Sequence, residues 1–443
     1  MRNRSILLLA TMVLWIPAAA DARYSGGTGE PNDPYRIATA EDLNDIGNHE
    51  DDWDKNFVLV NDVNLAQYTG TQFKIIGNSA TKFTGVFDGN DNKVWNFTWT
   101  SESEYTIGLF GDVGSGGQIK NLGMENVNIN AGTGVYVGGM VGQNGGTINN
   151  CYSSGSILTT DWYYVGGLVG LNYYCGTITN CYSASSVSGG SLVGGLAGGN
   201  TGTITKCYSL GSVSGDHCVG GLVGNNHGFG TITNGYSTGT VSGNEYIGGL
   251  VGLNYEGTIS SCYCSAKVSG VRWYVGGLVG ENYYGTISEC YSTGSVTGQS
   301  SVGGLVGENG HLEVFCEEGY CWEERYPGWI YRCYSIGNVT GNYTITIGGL
   351  VGCHAEGEIG DCFWDVNTST QTTSAGGTPK TTAEMKTIDT FIDAGWDFAE
   401  VWGIGEHQTY PFLRQSSAGD INLDKRVDLL DFAIFASHWL EEK

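Results

Sequence analysis

Proline is scarce in this chain, 6 residues in 443, and charge is thin, with 15% of residues Asp, Glu, Lys or Arg against roughly a quarter in an ordinary soluble domain. So little proline beside 73 glycines excludes collagen and proline-rich spacers. Bases are scarcer still: 20 Lys and Arg stand against 45 Asp and Glu, a formal net charge of −25. That sign works against nucleic acid and anionic membrane as partners and leaves divalent cations as fitting ones. Cysteine is missing from the first 150 residues, and no stretch after the N-terminus is apolar over the ~20 residues of a membrane span. What is plentiful is aromatic: 26 Tyr, 12 Trp and 14 Phe, far from the composition of a disordered chain.

The first 22 residues read as a leader. Arg2 and Arg4 precede an apolar run over 6–16, and Ala20, Asp21 and Ala22 form an A-x-A cleavage site, so the expectation is a cleaved signal peptide at 1–22 and a secreted or cell-surface protein. The apolar run is about half the length a membrane anchor needs.

The middle of the chain repeats. VGGMVGQN starts at Val137, and related segments start at 165, 193, 219, 247, 275, 302 and 347, separated by 28, 28, 26, 28, 28, 27 and 45 residues. Most are followed by GTI, CYS and a GSV-type segment. No window of a unit has helical periodicity, and a propeller blade takes ~40–45 residues. A coil of three short strands and three corners fits, stacked in parallel at ~4.8 Å. The fold predicted is an all-β parallel β-solenoid of about eight coils of 26–28 residues, right-handed by the rule for parallel crossovers, with an α/β N-terminal cap and a small helical C-terminal tail.

Stacking puts each repeat slot in a ladder. The amide slot reads Asn144, Asn172, Asn200, Asn226, Asn254, Asn282, Asn309 and His354, and stacked amides donate and accept along the stack. The paired glycines imply crowded corners or positive φ. The Cys slot reads Cys151, Cys181, Cys207, Gly235, Cys262, Cys290, Cys333 and Cys362; it reads as a buried stack of small thiols, with disulfides between neighbouring coils left open. Ile148 and Cys151 are an odd number of residues apart, so either a bend lies between them or one faces out. A tyrosine ladder runs beside them from Tyr152 to Phe363, readable as a stiffening stack or a sugar-stacking stripe. Aromatics at the corners vary more and are the better binding candidates, because turns lie on the surface: Trp162, Tyr163, Tyr173, Tyr174, Tyr255, Trp273, Tyr283 and Tyr284.

The units GGLVGxN…GTIxxCYSTGSVxG resemble the GLUG repeat of bacterial surface and secreted proteins over 107–364. The resemblance implies an exported β-solenoid and transfers no catalytic residue. The chain then divides into a leader (1–22), an N-terminal capping region (23–106), the repeats (107–364), a closing segment (365–415) and a tail (416–443). In the cap, Thr39, Ala40, Glu41 and Asp42 open a short helix in a capping-box pattern, and strand-like runs follow at 57–65, 73–77 and 84–97. A further short helix is expected near 383–394. An insertion at 310–332 breaks the repeat and carries Tyr320, Trp322 and Trp329 as further ligand-binding candidates, with Cys316 and Cys321 placed to close a hairpin as a disulfide.

Glu281 and Glu308 share one slot in consecutive coils and are the catalytic candidates, since retaining glycosidases hold two carboxyls ~5–5.5 Å apart. Leu171, Gly199 and Leu253 fill that slot elsewhere, which predicts an outward slot without a cleft. Lyase chemistry on uronates wants clustered bases, and 107–362 holds six. In the tail, Asp420, Asn422, Asp424, Asp428 and Asp431, with the Arg426 carbonyl, fall on the ligand positions of an EF-hand-type Ca²⁺ loop. The tail resembles one half of a type I dockerin, which implies Ca²⁺ as cofactor and a cohesin-like scaffold protein as partner. It departs from that pattern in Lys425, where the loop wants Gly, and in the missing second copy.

The function expected is a binding or adhesion scaffold, secreted or on the cell surface, contacting extracellular polysaccharide or a surface glycan and attached through its Ca²⁺-dependent tail. The alternatives are a polysaccharide-degrading enzyme on the same scaffold and a purely structural surface protein.

Overall fold

The computed structural model describes residues 23–101, 105–132, 135–160, 162–317, 320–342 and 346–414. The leader expected at 1–22 and the Ca²⁺ loop expected from Asp420, Asn422, Asp424, Arg426, Asp428 and Asp431 lie outside the described residues.

The chain winds as a parallel β-solenoid. One coil runs Trp273–Gly276, Val279–Tyr283, Thr286–Ser288, Tyr291–Ser292 and Val296–Gly298, and each segment pairs in parallel with its counterpart one coil on. These segments define a leading, an asparagine, an isoleucine, a tyrosine and a trailing row. Five short strands thus replace the three expected, because turns interrupt the longer runs. The isoleucine row has twelve strands, from Tyr35–Ile37 to Gly357–Gly360, and the leading and asparagine rows nine each. The solenoid therefore takes about eleven steps, roughly 50 Å at the strand spacing. The eight GGLVG copies undercount it, because the first coils fill the isoleucine rung with aromatics (Tyr35, Phe57, Phe87) and lack the double glycine.

The bend between Ile148 and Cys151 is at Asn150, whose φ is 56°. Left-handed residues fill the same place at Asn180, Lys206, Asn234, Ser261, Glu289, Arg332 and Asp361. One such residue flips the side-chain alternation, so that both the Ile and the Cys face inward and are buried. The double glycines answer to crowding and not to φ: a Cβ on Gly276 would overlap the Val279 carbonyl oxygen, and one on Gly277 that of Gly304 in the next coil. The leading and asparagine rows can approach this closely only without side chains.

Inside, the asparagine ladder is continuous. Each Nδ2 from Asn144 to Asn282 donates to the next Oδ1 at 2.8 Å, and Asn309 meets His354 Nδ1 at 3.2 Å. The ladder cysteines are free thiols. The amide N–H of Cys151 donates to Cys181 Sγ at 3.3 Å, and that of Cys290 to Cys333 Sγ at 3.3 Å. Burial pushes the Cys151 thiol well up.

In the cap, helix Ala40–Ile46 leaves the coil between the first two isoleucine-row strands. Asp42 N–H donates to Thr39 Oγ1 at 3.1 Å and Thr39 N–H to Asp42 Oδ2 at 3.2 Å, the capping box expected. The runs expected at 57–65 and 84–97 form strands Asn56–Leu59, Val63–Asn64, Val86–Asp88 and Lys93–Trp95, while 73–77 supplies only an Ile76 bridge to Phe110. At the other end, the helix expected near 383–394 is instead a 3-10 turn, Glu384–Lys386, and a single α-turn, Asp389–Ile392. Met385, Phe391, Trp396 and Trp402 are spent on packing against Tyr334 and Phe363. Among the described residues, no helix is long and apolar enough to cross a membrane.

Candidate functional site

The tyrosine stripe stacks face to face from Tyr152 to Tyr334, with centroids 4.8–5.1 Å apart and interplanar angles of 2–10°. It lies on the outside of the coil, half-buried, until the closing segment covers its C-terminal end. Trp402 packs on Tyr291 and Tyr334, and the Tyr334 hydroxyl donates to the Pro411 carbonyl. In those coils the stripe is a docking face for the chain's own C-terminal segment.

Exposed aromatics gather elsewhere, where the insertion leaves the solenoid. Gly310, at φ 72°, turns the chain out of the coil directly after the Asn309 rung. Strands His311–Glu317 and Tyr320–Tyr326 then pair as an antiparallel hairpin. Cys316 and Cys321 are opposite each other and disulfide-bonded, as the sequence suggested. Tyr320 is 82% exposed, and Trp322 stacks on Phe315 across the strands at 5.6 Å. At the base, Tyr326 packs on Tyr283 (4.7 Å) and edge-on to Tyr284 (5.4 Å), while Tyr283 stacks on Tyr255 one coil back (5.0 Å).

Two neighbouring clefts open beside this base. One, of about 380 Å³, is lined by Phe229, Glu256, Thr258, Tyr284, Thr286 and Trp329. The other, of about 230 Å³, is lined by Tyr246, Leu253, Tyr255, Glu281, Tyr283 and His311, with Glu313 at its edge. Of the sequence candidates, Tyr283, Tyr284 and Trp329 therefore meet in one place. Trp273 is exposed on the leading row, away from these linings. Tyr320 and Trp322 stand out on the hairpin. The side chains of Trp162 and Tyr163 lie outside the described residues.

The outward slot without a cleft expected for Glu281 and Glu308 needs correction. They are in register on adjacent asparagine-row strands, but only 5% and 7% exposed. The slot does leave the core, and neighbouring side chains then cover it. Tyr246 and Tyr274, left-handed residues of the leading row, stack at 5.0 Å beside the carboxylates, and His311 comes down from the hairpin. Its Nδ1 is 3.2 Å from Glu281 Oε1 and 3.9 Å from Glu308 Oε1. Burial, and then the charge of Glu281, push the Glu308 carboxyl up to about 7, and contact with Glu281 raises the His311 imidazole. The arrangement thus holds a carboxyl that is readily protonated beside a second carboxyl, with an imidazole over both.

Sequence reasoning did not select His311 or Phe229. For His311 a signal was present: it stands three residues after Glu308, at the first step of the break in the repeat.

The family model of the GLUG motif matches residues 163–188, 215–242, 243–269 and 272–297. A protein of Evansella cellulosilytica named "Putative Gly-rich membrane protein" is 38% identical over 408 residues, covering 88% of this chain and 45% of that protein. "Halomucin" of Haloquadratum walsbyi is 32% identical over 150 residues, covering 32% of this chain and 2% of its own length. The chain thus spans less than half the length of either relative. A crystal structure of "a putative immunoglobulin A1 protease" from Bacteroides ovatus aligns over 88% of this chain and 95% of its own, at 18% identity and a TM-score of 0.42.

Proposed function

We propose that this chain, a parallel β-solenoid carrying GLUG-motif repeats, works at or outside the cell surface as a binding and adhesion scaffold for extracellular polysaccharide. The observation that carries the reading is the meeting of Phe229, Tyr255, Tyr283, Tyr284 and Trp329 around two adjoining clefts that also present Glu256 and Glu281. Apolar ring faces with a few fixed polar groups are the make-up of a small-molecule or glycan subsite: the rings cover the C–H faces of a sugar, and carboxylates accept its hydroxyl protons. The signal-peptide pattern at 1–22 and the printed name of the Evansella relative both support placement at the surface or beyond. In the same reading, the loop at 420–431 takes Ca²⁺ and attaches the chain to a cohesin-like partner. The test is a glycan array on the mature protein beside its Tyr284→Ala/Trp329→Ala variant. The expected result is binding to a polysaccharide class that the variant loses; an array silent for both proteins overturns the reading.

A second reading, glycoside hydrolysis, draws on one observation: Glu281 and Glu308 are in register on adjacent strands, and the Glu308 carboxyl is pushed up to about 7, as the acid of a two-carboxyl site requires. Reducing ends released by the wild type but not by Glu308→Gln would favour it; no release by either protein removes it.

A further inference from the structure

Glu281, Glu308 and His311 each bring one ligand atom into a cluster in which these atoms all lie within 4.8 Å of one another. Two come from consecutive coils of the solenoid and the third from the hairpin, so the cluster exists only because the insertion returns to the asparagine row. Three features are unusual for a plain ion pair. Both carboxylates are nearly sealed from water, and among the described residues the cation recorded against them is the single imidazole. His311 Nδ1 is itself inaccessible to solvent and, although close to both carboxylates, makes no aligned hydrogen bond. Tyr246 and Tyr274 also stack at 5.0 Å beside the carboxylates, where side chains surrounding a ligating carboxylate stand.

We infer that Glu281, Glu308 and His311 form a divalent transition-metal site, with zinc as the fitting ion, that ties the inserted hairpin to the solenoid. The donor set decides the metal class. An imidazole nitrogen with two carboxylate oxygens suits Zn²⁺ and its first-row neighbours, whereas Ca²⁺ asks for six or more oxygens. At metal–ligand lengths of about 2.0–2.2 Å, tetrahedral ligands stand roughly 3.3–3.5 Å apart. Nδ1 already sits 3.2 and 3.9 Å from the two carboxylate oxygens, and all three ligand atoms lie within 4.8 Å of one another, so side-chain shifts on the order of an ångström complete the geometry. A fourth position faces the cleft lined by Tyr246, Tyr255 and Tyr283 and is filled by water or a ligand oxygen. A bound dication offsets two buried negative charges that one imidazole offsets only in part. It also fixes the hairpin base against Tyr283, whose ring is 5.8 Å from that of His311. The site stands independently of whether the clefts take a sugar.

The experiment uses the full mature chain, stripped with chelator and titrated with Zn²⁺ by calorimetry and with Co²⁺ by visible absorption. His311→Ala, Glu308→Gln and Asp420→Ala are measured alongside, the last to separate the tail. The expected result is about one Zn²⁺ beyond any taken up by the tail, weakened at least about tenfold in His311→Ala and Glu308→Gln and unchanged in Asp420→Ala. Co²⁺ should give the intense bands of a four- or five-coordinate site. His311 is on a surface hairpin, and unchanged circular dichroism of its variant keeps the comparison valid; were that variant misfolded, Glu308→Gln alone decides. Equal Zn²⁺ uptake by wild type and Glu308→Gln, or only the weak Co²⁺ bands of an all-oxygen octahedral site, overturns the assignment.

Discussion

Replacing Asn226 by Ala tests whether the amide ladder holds the solenoid together or merely occupies it. Asn226 is fully buried. Its Nδ2 donates to Asn254 Oδ1 at 2.8 Å and to the Gly230 carbonyl at 2.9 Å, and its Oδ1 accepts from Asn200 Nδ2 at 2.8 Å. The variant removes all three bonds. Asn200 Nδ2 keeps the Gly202 carbonyl at 3.2 Å, and the Gly230 carbonyl keeps the Thr258 N–H at 2.9 Å. The stranded group is therefore Asn254 Oδ1. Three net hydrogen bonds at about 1 kcal/mol each, with one buried acceptor left unpaired at about 1–3 kcal/mol, place the loss at about 4–6 kcal/mol.

The control is the residue next door. Asn225 is in the outward slot, and its Oδ1 has no partner, so Asn225→Ala removes no bond of that oxygen and should not destabilise the chain by more than about 0.5 kcal/mol. Because solenoids need not unfold in one step, the reading should be local. Hydrogen exchange at the amides of Leu222 and Val223, both bonded to the Leu250 carbonyl, should accelerate in Asn226→Ala and not in Asn225→Ala. Asn226→Asp should do worse still, since it sets a buried carboxylate oxygen against Asn254 Oδ1. Equal exchange in the Asn225 and Asn226 variants would refute the ladder argument, whatever the global melting curve did.

Three further outcomes follow from the same geometry. In chelator, stability should fall as pH rises from about 4.5 to about 7. The Glu308 carboxyl sits above its ordinary value in the folded chain, so its contribution is complete below the unfolded value and is lost through the folded one, up to about 3 kcal/mol. His311, also raised, adds in the same direction, and urea titrations of Glu308→Gln should show the slope flattened. Gly277→Ala should cost several kcal/mol, or abolish folding, because its Cβ meets Ser292 Oγ and also the Gly304 backbone of the next coil, which cannot swing aside as a side chain can; soluble yield and thermal melting check this. Asp420→Ala should lose Ca²⁺ uptake by calorimetry while Zn²⁺ uptake persists, and an unchanged Ca²⁺ isotherm would count against the tail loop.

What the sequence disclosed and what it hid divide along the repeat. Asn144 to Asn309, Tyr152 to Tyr334 and the Ile–Cys pairs were legible because parallel register projects each slot onto one line. Identical spacing in the chain then becomes contact in space, and Asn226 meets Asn254 simply because they are 28 residues apart. The five-strand coil was harder to read, since the turns at Asn150, Lys206 or Arg332 use left-handed residues of unlike chemistry and leave no signature beyond position. The first coils were hidden for the converse reason: Phe57 and Phe87 take rungs filled later by Ile, without the glycine pair that marks a repeat. The acidic cluster lies on the boundary between the two orders. Its carboxylates were found by register, which sets Glu281 opposite Glu308, while the feature that turns them from a surface pair into a covered site, His311 folded back over them, belongs to an inserted segment with no counterpart in neighbouring coils. Periodicity can predict what stacks on what but not what an insertion covers. In a molecule whose rungs are otherwise interchangeable, that makes the break in the repeat, with its hairpin, clefts and buried acids, the place where this chain acquires chemistry of its own.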